Sequence, residues 1–144
     1  RAVAVVPVIL FHAGLSVFSG GYVGVDVFFV ISGYLITSII LAERRAGRFS
    51  LTNFYARRIR RIFPALFVMM AACYPIAFAV MGPKGMEEFA GSVIAATLFL
   101  ANVFFYDVSG YFATAAEVKP LLHTWSLAVE EQFYLVFPAL DRPI

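Results

Sequence analysis

Residues 23–42 read VGVDVFFVISGYLITSIILA, and residues 43–61 behind them read ERRAGRFSLTNFYARRIRR. The first stretch carries a single charge, Asp26, and about 20 apolar residues is what a helix needs to cross the ~30 Å hydrocarbon core of a bilayer. The second sets seven arginines against one glutamate, and a short loop so rich in Arg beside a span stays in the cytoplasm. The two stretches together predict an all-α, polytopic transmembrane helical bundle, with residues 23–42 running inward.

Four further segments, 2–18, 63–81, 89–106 and 121–140, are apolar enough to make about five spans in all. The first two are joined by Ser19-Gly20-Gly21-Tyr22, which predicts an antiparallel helical hairpin. Ser50 is placed as the N-cap of a short helix, in which Phe54, Tyr55, Ile59 and Ile62 alternate with Arg57, Arg58, Arg60 and Arg61. That pattern predicts a basic amphipathic helix along the cytoplasmic interface before Pro64 starts the third span. Residues 82–88 then form an external turn, and counting spans puts 107–120 inside, although its charges, Asp107, Glu117 and Lys119, give no support and a re-entrant or kinked segment reverses the side.

Composition agrees with lipid as the solvent. Hydrophobic residues make up 62% of the chain and charged residues 14%, with a mean hydropathy of +0.87, outside the range of a soluble domain. Cys73 stands alone, which leaves no disulfide framework and no Cys-based metal site. A net charge of +2 suggests no nucleic-acid partner, and the clustered arginines fit contact with membrane lipid. The chain starts on Arg1 without a leader pattern, and the first run reads as a retained span of a longer protein.

Ionisable residues inside such runs are costly in lipid and mark functional candidates. His12 lies eleven residues past Arg1, about 16 Å along a helix, near the bilayer midplane if Arg1 marks its edge. The short turn predicts that Asp26 comes to a similar depth, within a turn of helix, where a carboxylate fixes the imidazole tautomer for a general base. A neutral His bonded to a neighbouring helix and a helix-end acid are the plainer readings of the same two residues. In the fifth segment His123, Ser126, Glu130 and Tyr134 fall on one helical stripe beside Trp125, as expected of residues lining a cavity. Arg57, Arg58 and Arg61 read either as a topology signal and lipid anchor or as a phosphate-binding group.

Four blocks in order, RAVAVVPVILFHAG, GGYVGVDVFFVISGYLIT, FYARRIRRIFPAL and PLLHTWSLAVEEQFYLVFP, resemble acyltransferase family 3, integral membrane O-acyltransferases of cell-envelope carbohydrate. The resemblance implies that residues 1–144 are the N-terminal part of one membrane acyltransferase domain, incomplete at both ends. By it, Arg1 and His12 are the Arg-x10-His pair with His12 catalytic, and Arg57, Arg58 and Arg61 lie near the donor. It implies acyl-CoA, usually acetyl-CoA, as donor substrate with no bound cofactor, and as acceptor a hydroxyl of an extracytoplasmic sugar, polysaccharide or lipopolysaccharide. The expected location is the bacterial inner membrane, multi-pass. Half of a proton-coupled transporter or channel, with His12, Asp26 and Glu130 as a relay, fits composition and topology equally well. It leaves the Arg-rich segment unexplained.

Overall fold

The structure, a computed structural model, describes residues 2–109 and 119–140. Among them every regular element is helical, and the chain divides into two compact units, Arg1–Phe49 and Ser50–Ile144.

The first unit begins with α1 (Ala2–His12) and continues through two 3-10 turns (Ser16–Phe18 and Gly21–Val23) into α2 (Gly24–Arg45). Helix α1 stops six residues earlier than the predicted segment 2–18 because Gly14 takes φ +78°. Leu15 N–H then reaches back to the Leu10 carbonyl (3.2 Å) and Gly14 N–H to that of Phe11 (3.0 Å), a Schellman closure that glycine makes without strain. Helix α2 ends the same way. Gly47 at φ +64° lets Arg48 N–H bond to the Glu43 carbonyl at 2.9 Å.

α1 and α2 pack backbone to backbone at two glycines. A Cβ on Gly24 would lie 2.2 Å from the Ala4 carbonyl oxygen, and one on Gly21 would lie 2.2 Å from that of Pro7. Small residues at such contacts let helices approach where lipid supplies no hydrophobic drive, and the two contacts fix the antiparallel register.

In the second unit α3 (Leu51–Val80) is one helix of 30 residues, about 45 Å long. Ser50 caps it as predicted, accepting from Asn53 N–H at 3.4 Å. The basic amphipathic segment is not a separate interfacial helix ahead of Pro64: it forms the first turns of α3, which continues through Pro64 and Pro75. The surplus over a ~30 Å core is what the arginine-bearing turns occupy.

The predicted span 89–106 is replaced by a helical hairpin, α4 (Pro83–Thr97) and α5 (Ala101–Asp107). The reversal falls at Phe99, a non-glycine residue at φ +54°, where Leu100 N–H bonds to the Ala95 carbonyl at 2.8 Å. That conformation costs an L-residue roughly 1 kcal/mol, and a polar clamp holds it. Gln132 Nε2 donates to the Phe99 carbonyl (2.8 Å) and to Asn102 Oδ1 (2.9 Å), and Asn102 Nδ2 donates to Gln132 Oε1 (3.2 Å).

Contacts set the direction of each strand of the hairpin. Phe99 meets Phe63 near the arginine end of α3, with ring centroids 5.6 Å apart, and Thr97 lies beside Met70. Phe104 then returns to Gly91, and Lys119 pairs with Glu88 at 3.0 Å. Both described flanks of 107–120 therefore lie at the Val80 end of α3, opposite its arginines, the placement expected of a re-entrant segment and not of a further crossing. Residues 110–118 themselves lie outside the described residues. Helix α6 (Thr124–Leu140) runs back toward the arginine end, where Tyr55 Oη donates to the Leu135 carbonyl at 2.8 Å. Leu66, Met70, Ala77, Phe89, Ala96, Phe105, Leu121 and Ala128 form the core between these helices.

The segment Gly21–Arg45 and α3 are long and apolar enough to cross a membrane. The described residues thus hold two such helices where about five spans were expected. The hairpin has the geometry of a re-entrant segment, whose turn is tolerated at depth because Gln132 and Asn102 satisfy it from within the protein. With Cys73 replaced by Ala, single cysteines at Thr52 and Ser109 are expected to react with a membrane-impermeant maleimide from opposite faces. Labelling of both from one face would restore a single crossing at 83–107.

Candidate functional site

His12 is the last residue of α1 and is exposed. Its Nδ1 lies 2.8 Å from the Val8 carbonyl oxygen. A carbonyl only accepts, so Nδ1 is the donor in this contact, and in the neutral ring Nε2 is then the acceptor. The Phe11 ring stands edge-on to the imidazole at 5.2 Å. One nitrogen is thus held by the helix's own backbone, and the other is the basic atom.

Asp26 does not supply that orientation. Gly24 is set opposite Ala4 and Val8, so Asp26, two residues further along α2, sits about two helical turns from His12, on the order of 10 Å along the axis. The expected juxtaposition within a turn is corrected for a simple reason. The connection between the helices is the longer run 13–23 with two 3-10 turns, not a four-residue turn. Asp26 occupies the first turn of α2.

The arginines of α3 divide by face. Arg57, Arg60 and Arg61 are exposed, and Arg57 and Arg61 are four residues apart on one face. Arg58 points into the bundle, with its guanidinium 4.2 Å above the Tyr134 ring and 5.7 Å from that of Phe54. Tyr134 is buried, and its hydroxyl donates to the Glu130 carboxylate. Arg58, Tyr134 and Glu130 therefore form one connected group where α6 reaches the start of α3. Arg1 lies outside the described residues.

The polar stripe of α6 separates into two ends. His123 precedes the helix, and its carbonyl accepts from Ser126 Oγ at 3.0 Å, so the serine hydroxyl is engaged with backbone and not with the imidazole. Trp125 is 38% exposed. A cavity of the second unit is lined by other residues than His123, Trp125, Ser126, Glu130 and Tyr134. That cavity, about 530 Å³, is walled by Ile76, Val80, Gly85, Phe89, Phe105 and Lys119 among others, and by no member of the stripe. Sequence reading passed over the Asn102–Gln132 clamp and the Glu88–Lys119 pair. The signal for the clamp was present: Asn102 interrupts an apolar run, and an amide in lipid needs a partner.

Among the described residues the chain is all-helical, with two helices long and apolar enough to cross a membrane, which defines an all-α class with candidate membrane spans. Comparison with known sequences makes the class specific. The acyltransferase domain family matches residues 1–144, and the chain belongs to it, as its four motif blocks indicated. An O-acetyltransferase OatA of Staphylococcus aureus is 39% identical over 140 residues, covering 96% of this chain and 23% of that protein. The peptidoglycan O-acetyltransferase OatA of Listeria monocytogenes is 42% identical over 144 residues, covering 96% and 22%. An uncharacterized protein of Haemophilus influenzae is 45% identical over 115 residues, covering 80% and 47%. The chain thus spans about a quarter of the length of the two O-acetyltransferases and about half of the third protein. No solved structure matches it.

Proposed function

We propose that the chain is the N-terminal part of a multi-pass O-acyltransferase of the bacterial inner membrane, which moves an acetyl group from acetyl-CoA to a hydroxyl of an envelope sugar. The observation that carries this reading is the held imidazole of His12 in a member of an acyltransferase family. Nε2 takes the proton of the acceptor hydroxyl as its oxygen attacks the thioester carbonyl. The C–S bond breaks, and the departing thiolate takes the proton back from the imidazolium. Peptidoglycan is the acceptor named for the Listeria relative, and a muramyl or glucosaminyl hydroxyl is the corresponding chemistry here. Adding labelled acetyl-CoA to membranes carrying the full-length protein is expected to put label into alkali-labile esters of envelope polysaccharide. Absence of such esters, with the protein folded and inserted, refutes the reading.

Arg57 and Arg61 are assigned to donor phosphates, with the residue 43–61 segment cytoplasmic, because exposed guanidinium groups one helical turn apart can each bind phosphate bidentately. Arg58 is assigned to positioning through Tyr134. Replacing Arg57 and Arg61 together by Lys keeps the charge and is expected to weaken acyl-CoA binding roughly tenfold. Arg58→Lys is expected to lower stability by about 1 kcal/mol through the lost ring contact, with donor affinity nearly unchanged. Unchanged affinity in the Arg57/Arg61 double variant reduces these arginines to lipid anchors.

A further inference from the structure

The cavity of the second unit lies at the opposite end of α3 from the arginines and has no part in the reaction just described. At about 530 Å³ it falls within the roughly 300–1,000 Å³ typical of small-molecule sites. Its walls are the last turns of α3, the first turns of α4, Phe105 of α5 and residues 119–121. Ile76 and Val80, 65% and 80% exposed, stand at its rim, so access is past aliphatic side chains. Phe89 and Phe105 are buried in its depth.

One wall is charged. The Lys119 side chain is only 9% exposed, and its Nζ lies 3.0 Å from Glu88 Oε1. An ammonium so deeply placed needs its counter-charge, which Glu88 supplies as an ion pair, and it carries three N–H donors. Ser92 Oγ, also on the lining, spends its proton on the Phe89 carbonyl at 2.7 Å, so the donor this wall offers is the ammonium. With the two charges paired at 3.0 Å the wall is neutral, so an entering anion or cation finds no uncompensated counter-charge to offset the cost of leaving water. What fits is uncharged, apolar over most of its surface, and bears an oxygen acceptor.

We propose that this cavity is a binding site for a neutral, hydroxyl-bearing amphiphile, whose hydroxyl oxygen accepts from the Lys119 ammonium while its apolar body lies against Ile76, Phe89 and Phe105. A sugar carried on a hydrocarbon chain and a neutral glycerolipid share this chemistry, and the two sources are separable. The site's occupancy is independent of the acyl-transfer assignment, and its test reads binding and not turnover.

The full-length protein is placed in lipid nanodiscs with an alkyl glucoside carrying a photoactivatable diazirine in its chain, and the cross-linked peptides are mapped by mass spectrometry. Labelling is expected within residues 76–92 and at Phe105, and to be competed by unlabelled octyl glucoside but not by octyl sulfate or octyltrimethylammonium. Competition by mono-octanoylglycerol as strong as by the glucoside identifies the occupant as bilayer lipid, and stronger competition by the glucoside identifies it as carbohydrate. Both outcomes support the site. The double variant Glu88→Gln, Lys119→Gln is expected to lose at least tenfold in glucoside affinity, whereas the exchange Glu88→Lys, Lys119→Glu, which keeps an ion pair, retains most of it. Labelling outside these residues, equal competition by the charged amphiphiles, or undiminished affinity in the double variant overturns the proposal.

Discussion

Replacing His12 by Ala in the full-length protein is expected to lower acyl transfer per folded molecule by roughly 10²–10⁴-fold, the range for loss of a positioned base, while acyl-CoA binding stays within about twofold. The split follows from geometry. His12 ends α1, is exposed, and spends one nitrogen on its own helix backbone, so its removal costs a single local hydrogen bond worth about 1 kcal/mol and creates no cavity. A purely structural histidine predicts the reverse, with folded yield falling and turnover of the surviving molecules unchanged. The tautomer is a separate readout. Nitrogen NMR of selectively labelled histidine is expected to show the proton on Nδ1 at neutral pH, both in the unaltered protein and in Asp26→Asn. A proton that moves to Nε2 in Asp26→Asn restores the carboxylate as the orienting group. Near-normal turnover in His12→Ala removes His12 from the chemistry altogether.

How far the sequence discloses this arrangement depends on what kind of signal each residue leaves. The helical class, the span at 23–42 and the Ser50 cap are legible because length, apolarity and a capping side chain act locally. The end of α1 was legible in principle, since Gly14 two residues after His12 is a helix-stop signal, but the apolar residues beyond it outweighed that signal. The re-entrant hairpin left almost none. Its reversal uses Phe99 at positive φ, where the pattern of turn residues asks for Gly or Asn, and the compensation comes from Gln132, 33 residues away. A local reading cannot see a strained turn held from another helix. Within the candidate site, adjacency was not legible. His12 and Asp26 were paired by counting from a turn, whereas their register is set by which glycines meet which carbonyls.

That register is the basis of the second large effect. Gly24→Val is expected to destabilise the packing of α1 on α2 by about 3 kcal/mol or more, at or beyond the upper end of ordinary overpacking, and to lower the yield of folded protein correspondingly. The obstacle is a backbone atom. A Cβ at Gly24 would stand 2.2 Å from the Ala4 carbonyl oxygen as well as 2.8 Å from a Val8 methyl. Trimming Val8 to Ala therefore relieves only the second contact, and Val8→Ala is expected to give no rescue of Gly24→Val. Only withdrawal of the whole of α1 accommodates the side chain, and His12 is carried at the end of that helix. Gly33 supplies the contrast within the same helix. A Cβ there meets nothing within 4 Å, so Gly33→Ala is expected to stabilise α2 by roughly 0.5–1 kcal/mol through helix propensity. Denaturant melts of the two variants in one detergent should move in opposite directions from the unaltered protein. If Gly24→Val melts with Gly33→Ala, or if Val8→Ala restores it, then the two helices are not held by backbone contact at Gly24, and the two-turn separation of His12 from Asp26 loses its foundation.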